Sequence, residues 1–168
     1  METELIIRMA EPEDINLIGW LAQQIWPFAY KDIVSQDQVR YMLNLIYSPE
    51  SLREQFNQKH QFLIVELDEE PVGFASYSRI DNAGLYKLQK LYVLPSMQGK
   101  GLGKAMIDFI VDQLKPQGIR ALQLNVNRNN KARLFYEKEG FNIIKEEDID
   151  IGNNYFMNDY VMEKKFLI

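Results

Sequence analysis

The chain of 168 residues is 46% hydrophobic and 12% aromatic, and its formal net charge of −5 argues against a nucleic-acid-binding protein. It contains no cysteine, a single histidine and no apolar run near 18 residues, which excludes disulfides, thiolate chemistry, a multi-histidine metal site and a membrane span. We therefore expect one globular domain over residues 1–168, cytoplasmic in location, with no bound metal and no membrane or nucleic-acid partner.

The first 60 residues predict one strand followed by three helices. Leu5–Met9 is an apolar strand segment, and Pro12 with two acidic residues after it is typical of a helix start. This helix ends in the aromatic segment Trp26–Tyr30, and Ser35 and Ser48 are placed to cap the second and third helices. Such aromatic helices between the first two strands either cover a substrate or pack in an ordinary core, and the sequence leaves both alternatives open.

The next segment predicts a hairpin and then a bulged strand. Gln61–Leu67 and Val72–Ser78 are strand-like on either side of the turn Asp68–Pro71. The following strand, Leu85–Leu94, changes the parity of its apolar positions at Gln89–Lys90, as it would across a β-bulge. A bulge there would leave backbone donors and acceptors free for a ligand.

Three glycines fall within five residues in the segment Gln98–Gly103, directly before a helix pattern over Leu102–Leu114. Their backbone N–H groups can converge at a helix N-terminus, which suits a phosphate or a pyrophosphate. The segment is not a Walker loop, because Ala105 follows Gly103 and Lys104, and its glycines are too closely spaced for a dinucleotide fingerprint. A tight turn without a ligand is the alternative.

The remaining residues predict a strand, a helix and two closing strands. Ala121–Asn127 alternates between apolar and polar residues, and an asparagine of the pair Asn129–Asn130 is placed to cap the next helix, which Gly140 ends. Two long strands follow around the turn Gly152–Asn153, over Phe141–Ile151 and Asn154–Leu167.

Two motifs carry a resemblance to a known family. The first is Gln98-x-x-Gly101-x-Gly103, and the second is Asn129-x-x-Ala132-x-x-Phe135-Tyr136-Glu137-Lys138-x-Gly140-Phe141. In this order, with one helix and one strand between them, they resemble the two hallmarks of the GNAT N-acetyltransferase superfamily. The resemblance implies a mixed α/β fold, with a mostly antiparallel sheet of six to seven strands, splayed between strands four and five, and flanking helices. It also implies an acetyl-coenzyme A-dependent N-acetyltransferase.

The resemblance implies a role for each matching residue. The bulged strand would offer the main chain of Leu91, Tyr92 and Val93 to the thioester carbonyl, with Leu91 as the catalytic contact, and to the pantetheine amides. Asn129 and Phe135 would contact the pantetheine arm. Tyr136 would protonate the departing thiolate, although packing alone also explains a tyrosine there. The pyrophosphate would lie against a longer set of residues, namely Gln98, Gly99, Lys100, Gly101, Leu102, Gly103 and Lys104.

One departure from the family pattern concerns the general base. Related enzymes often carry a glutamate two residues before the position of Leu91, and here that position is Gln89, with Lys87 before it. Deprotonation of the acceptor would then use water, a backbone carbonyl, or another acid such as Asp159 or Asp81. The sequence does not choose among them.

The acceptor is expected to be a small primary amine, with a polyamine favoured. The aromatic segment Trp26–Tyr30, the region Ser48–Phe56 and the chain's ending are loosely similar to PaiA-type spermidine/spermine acetyltransferases. Acidic residues are expected to flank the acceptor cleft and draw in a cation, namely Asp32, Asp37, Asp148, Asp150 and Asp159. A protein or peptide N-terminus is the alternative acceptor, a degenerate coenzyme A-binding module is the alternative function, and a homodimer is a candidate assembly.

Overall fold

A seven-stranded mixed sheet crosses the computed structural model, which describes residues 3–167, in the order β1-β2-β3-β4-β5-β7-β6. The strands are β1 (Leu5–Met9), β2 (Gln61–Leu67), β3 (Glu70–Arg79), β4 (Leu85–Val93), β5 (Ala121–Asn127), β6 (Asn142–Gly152) and β7 (Tyr155–Lys165). The α-helices are α1 (Ile15–Ala29), α2 (Gln36–Tyr47), α3 (Pro49–Asn57), α4 (Leu102–Leu114) and α5 (Ala132–Lys138). Across residues 3–167, each helix is too short or too polar to span a bilayer.

The helices cover both faces of the sheet, and the middle strands are therefore buried on both sides. On β2, Leu63 and Val65 belong to the apolar cluster under α4, while Phe62 and Ile64 belong to the cluster under α1, α2 and α3. This two-sided burial explains why β2 is an uninterrupted apolar run in the sequence.

Local signals set the helix starts, with one correction. The hydroxyl of Ser35 accepts a hydrogen bond from the Gln38 N–H at 3.1 Å, and that of Ser48 accepts one from the Ser51 N–H at 3.2 Å, which confirms both predicted caps. At α5 the N-cap position is Lys131, whose side chain makes no capping bond. The side chain of Asn130 accepts the N–H of Ala132 at 2.9 Å instead, so an asparagine orders this turn from one residue before the cap.

The β2–β3 and β6–β7 turns lie at other residues than predicted, and both have the same two-residue geometry. The β2–β3 turn consists of Asp68 and Glu69 alone, and the β6–β7 turn consists of Asn153 and Asn154. Each pair has two positive φ angles, which is the geometry that matches the twist of paired strands. β3 consequently begins at Glu70, two residues before the predicted start, and Pro71 lies within it.

The predicted bulge in β4 is confirmed. Ser76 of β3 pairs with Lys90 and Tyr77 pairs with Leu88, so Gln89 is the extra residue. As a result, Leu91 and Val93 pack on the same apolar cluster as Leu88, on the α4 side of the sheet.

The predicted splay also lies where expected. β4 and β5 are the one parallel pair in the described sheet, and their pairing ends at Leu88 and Leu124. Beyond that point the strands diverge, and the edge of β4 from Gln89 to Val93 has no partner in β5. The divergence opens the centre of the sheet.

Candidate active site

A cavity of about 690 Å³ lies in the opening between β4 and β5. One wall is the unpaired edge of β4 with the Gly-rich loop beyond it, and the other is β5 with the start of α5. The aromatic end of α1 also reaches it through Phe28 and Tyr30. The cavity thus brings together segments that are separated by up to about 100 residues in the chain.

In the part of the chain that the structure describes, the Gly-rich loop leaves a row of backbone N–H groups unbonded at the start of α4. Gly99 and Gly101 have φ angles of +79° and +75°, and no atom lies within 4 Å of where a Cβ would stand at either position. Within residues 3–167, none of the backbone N–H groups from residues 99 to 104 donates to a protein acceptor. Because these donors lie at the N-terminus of α4, they form a positively polarised nest facing open space.

Gly103 lies where the Gly-rich loop, β4 and α5 contact one another. A Cβ at this position would stand 3.2 Å from the ring of Phe135 in α5 and 3.8 Å from Leu91 in β4. The loop, the bulged strand and α5 are therefore packed against one another at one narrow point of the cavity wall.

Tyr136 presents a buried phenol to this cavity. The residue is 8% exposed, and its ring packs edge-on against Phe135 and Phe141, with centroid separations of 5.3 and 5.8 Å. Its hydroxyl makes no hydrogen bond to any residue of the described chain. Burial, with a smaller contribution from Tyr30, raises the pKa of Tyr136 well above that of a free tyrosine. The hydroxyl therefore stays protonated near neutral pH and available as a donor.

A second cavity of about 340 Å³ lies on the other face of the sheet, between β4, β5 and β7 and the helices α1, α2 and α3. The two cavities share wall residues around the bulge, namely Tyr30, Gln89, Lys90, Tyr92 and Asn125. Both cavities therefore border the point where β4 and β5 separate.

Helix α2 and the β6–β7 hairpin are joined beside the second cavity. The side-chain amide of Gln38 donates to the carbonyl of Phe156 at 3.0 Å, and the hydroxyl of Tyr41 donates to the carbonyl of Ile151 at 2.6 Å. Both elements also contribute apolar walls to the cavity, through Met42 and Met157 among others. These bonds restrict the opening of the second cavity on that side.

Lys90 is a buried cation in the walls of both cavities. It is 9% exposed, and its ammonium donates to the side-chain oxygen of Gln55 at 2.6 Å while lying 5.7 and 5.4 Å from the ring centroids of Tyr47 and Phe62. Burial, assisted by repulsion from Lys87, lowers its pKa to about 8.

Asp159 is the carboxylate of the second cavity, and within the described chain no other acidic residue lines either cavity. It is 5% exposed, and its Oδ2 accepts a hydrogen bond from the amide of Asn125 at 3.2 Å. Its Oδ1 is buried without a donor. Burial raises the pKa of Asp159, against the opposing effect of the Asn125 hydrogen bond and of Lys87.

Most residues predicted for coenzyme A line the first cavity together. They are Leu91, Tyr92, Val93, Gln98, Gly99, Gly101, Leu102, Gly103, Lys104, Phe135 and Tyr136. Lys100 and Asn129 are not among its walls, and the positions next to the latter, Asn130 and Lys131, take part instead. Asn129 is exposed, and its N–H donates to the side chain of Asn127 at 2.9 Å.

The acids predicted to flank an acceptor cleft do not gather, apart from Asp159. Asp37 pairs with Arg40 and Asp148 with Arg128, while Asp150 accepts the N–H of Gly152 in the last hairpin. Asp32 is exposed and lines neither cavity. Sequence reasoning also missed Lys90, Asn125 and Asn127, because nothing local in a strand shows that its polar face borders a gap in the sheet.

Comparisons with known proteins agree with this geometry. The family model for the acetyltransferase (GNAT) domain matches residues 30–158. The chain is 31% identical to spermidine N(1)-acetyltransferase of Thermoplasma acidophilum over 95% of this chain and 96% of the relative. It is 37% identical to the ribosomal protein bS18-alanine N-acetyltransferase of Haemophilus influenzae, over 60% of this chain and 65% of the relative.

A solved structure has the same fold over almost its full length. The PaiA N-acetyltransferase from Thermoplasma acidophilum, crystallised in complex with coenzyme A, superposes with a TM-score of 0.81 at 28% identity, covering 97% of this chain and 99% of that one. The chain therefore belongs to the GNAT acetyltransferase family. It is an N-acetyltransferase that uses acetyl-coenzyme A.

Proposed function

We propose that the first cavity binds acetyl-coenzyme A and that the second binds a small primary amine, which receives the acetyl group at the bulge of β4. The observation that carries this proposal is the shared wall: two cavities on opposite faces of the sheet meet at Gln89, Lys90 and Tyr92. Two substrates entering from opposite sides would meet there in the geometry that a direct transfer requires.

We assign successive parts of coenzyme A to different walls of the first cavity. The unbonded N–H groups of residues 99–104 would hold the pyrophosphate. The unpaired edge of β4 would form hydrogen bonds with the amides of the pantetheine arm. On its other side, the pantetheine arm would contact Phe135 and an asparagine. We assign that last contact to Asn130 in place of Asn129, because Asn130 lines the cavity.

The chain supplies two groups for the chemical step. Bound acetyl-coenzyme A would provide the acetyl group and a thiolate leaving group. The N–H of Leu91, on the bulged edge, is proposed to donate to the carbonyl oxygen, and one such donor typically lowers a barrier by about 3 kcal/mol. The neutral phenol of Tyr136 is proposed to give its proton to the thiolate.

Two features favour a small acceptor over a protein N-terminus. The hydrogen bonds from Gln38 and Tyr41 hold α2 against the last hairpin beside the second cavity, which would leave less room for an extended peptide than for a small amine. One relative that aligns over 95% of this chain is a spermidine enzyme, whereas the alignment with the Haemophilus influenzae enzyme that acetylates a ribosomal protein covers 60% of this chain.

A polyamine is the favoured acceptor within this class. The second cavity offers Asp159 and the rings of Trp26 and Tyr30 to an ammonium group. Lys90 in the same wall repels a second ammonium at that depth. We therefore propose that one end of a polyamine enters and that the rest of its charge stays outside.

The test is release of free thiol from acetyl-coenzyme A in the presence of spermidine, propylamine or a peptide with an N-terminal alanine. Spermidine should exceed the peptide by at least about tenfold in kcat/KM, and its rate should fall with added salt because the attraction is screened. A faster reaction with the peptide would support the N-terminal alternative. Coenzyme A binding without thiol release on any amine would support a binding module.

A further inference from the structure

We infer that Asp159 is the base that takes the proton from the acceptor ammonium, the task for which the chain lacks a glutamate on β4. The inference rests on the proposed function, since it concerns the amine of the second cavity. It assigns one of the alternatives that the sequence leaves open.

Asp159 has one carboxylate oxygen, Oδ1, that is buried without a hydrogen-bond donor among the described residues. A buried carboxylate oxygen without a donor is costly, so native proteins rarely keep one without a use. Within the described chain, five buried side-chain polar atoms lack a partner, and four of them belong to walls of the second cavity: Trp26 Nε1, Tyr47 Oη, His60 Nδ1 and Asp159 Oδ1. A polar ligand in this cavity would supply the missing partners.

Asp159 also lies close to the wall that the two cavities share. Asn125 lines both cavities, and its amide donates to Oδ2 of Asp159 and to Glu147, each at 3.2 Å. This bond occupies one oxygen of Asp159 and leaves Oδ1 for a ligand. The carboxylate of Asp159 is therefore hydrogen-bonded to a residue that lines both cavities.

The other candidates fit less well. Asp81 lies in an exposed turn, where its Oδ1 accepts the N–H groups of Ala83 and Leu85 at 2.8 and 3.0 Å, and it lines neither cavity. Gln89 cannot accept a proton near neutral pH. His60 does line the second cavity, but burial and the positive charges of Lys90 and Lys87 lower its pKa, which makes it a weaker base than a free imidazole.

The acceptor nitrogen gives up two protons in the proposed reaction, one to Asp159 and one to Tyr136. An alkylamine arrives as an ammonium, because its pKa is about 10, as for a lysine side chain. Asp159 takes one proton and leaves a lone pair on nitrogen, which forms the C–N bond while the C–S bond breaks. Tyr136 protonates the sulfur and recovers a proton from the same nitrogen. Asp159 then releases its proton to water, so each turnover yields an amide, a thiol and one proton.

The environment of Asp159 suits this role. Burial and Glu147 raise its pKa, Lys87 and Arg128 oppose that rise, and Lys90 and His60 face the same cavity. A carboxylate with a raised pKa is a stronger base than an exposed one.

The experiment compares two acceptors in the full-length protein: propylamine, which is an ammonium at pH 7, and methoxyamine, which is already neutral. Asp159→Asn should lower kcat with propylamine on the order of 100-fold. It should lower kcat with methoxyamine less than about threefold, because only propylamine needs a base. The propylamine rate of the variant should climb steadily with pH as free amine appears, while the wild-type rate changes less. Asp37→Asn is the matched control, since it makes the same substitution at an exposed aspartate that pairs with Arg40 and lines neither cavity, and its kcat should stay within about threefold of the wild type.

Coenzyme A affinity by calorimetry and the melting temperature confirm that Asp159→Asn is folded. Equal losses with both amines would show a structural or positioning role and overturn the inference, as would unchanged activity. A selective loss in His60→Gln, with Asp159→Asn unaffected, would move the base to His60. If the wild-type protein releases no thiol with any amine, the proposed function fails and the inference falls with it. With an active wild type, only the assignment of Asp159 is at stake.

Discussion

The hydroxyl groups of Tyr30 and Tyr92 lie 3.1 Å apart and share a hydrogen bond that joins the end of α1 to β4 just past the bulge. Both residues line both cavities, so this bond lies where the proposed substrates meet. Burial raises the pKa of Tyr30 to about 12, which keeps its phenol neutral in the range where the enzyme would work.

Removal of either hydroxyl should leave the other buried without its partner. We expect Tyr92→Phe and Tyr30→Phe each to lower the free energy of unfolding by about 1–3 kcal/mol. The double variant should lose less than the sum of the two, with a coupling on the order of 1 kcal/mol in urea titrations. Strictly additive losses would mean that the two hydroxyls do not interact in solution.

Tyr136→Phe removes the hydroxyl that is the proposed proton donor and keeps the ring that packs in the core. The ring contacts with Phe135 and Phe141 remain, and the lost hydroxyl has no protein partner in the described structure, so stability should change by less than about 1 kcal/mol. Turnover should fall on the order of 100-fold while coenzyme A affinity stays nearly constant. Retained turnover would show that water protonates the thiolate and that the tyrosine is structural.

Gly103→Val tests the narrow point of the first cavity. A branched side chain there would press on Phe135 and on Leu91 and would occupy space beside the loop. We expect coenzyme A affinity to fall at least about tenfold, roughly 1.4 kcal/mol, in calorimetry on a folded variant. Gly103→Ala is the graded control and should lose less, because its single Cβ requires Phe135 to shift only slightly. Wild-type affinity in the valine variant would contradict the loop assignment.

Lys90 should make stability depend on pH in an identifiable direction. Its pKa is about 8 in the folded state and about 10.5 when unfolded, so the unfolded state binds more protons between these values and stability rises with pH across that window. Between pH 7 and 9.5 the gain should be about 2 kcal/mol, and Lys90→Met should abolish it. The exposed Lys31→Met is the control. An identical pH dependence in wild type and Lys90→Met would show that the lysine is not desolvated.

Features that depend on neighbouring residues along the chain were predictable from the sequence. The caps at Ser35 and Ser48 and the parity change at Gln89 follow from backbone preferences and side-chain alternation over a few positions, and the structure confirms them. The motifs at Gln98–Gly103 and Asn129–Phe141 indicated the family, and through it the sheet with its splay, because their order and separation are properties of the sequence itself. The two-residue hairpin turns were missed because several residues near each end can adopt turn geometry.

Only the tertiary structure decided which side chains meet at the site. Sheet order and the divergence of β4 from β5 bring residues 26–60, 89–92, 125–127 and 157–159 around one cavity, and no local periodicity encodes that convergence. The same arrangement leaves Asp37 and Asp148 in exposed ion pairs and buries Asp159 with a free oxygen. Whether a carboxylate is solvated, paired or left unpartnered depends on every group packed around it, and those groups come from distant parts of the chain.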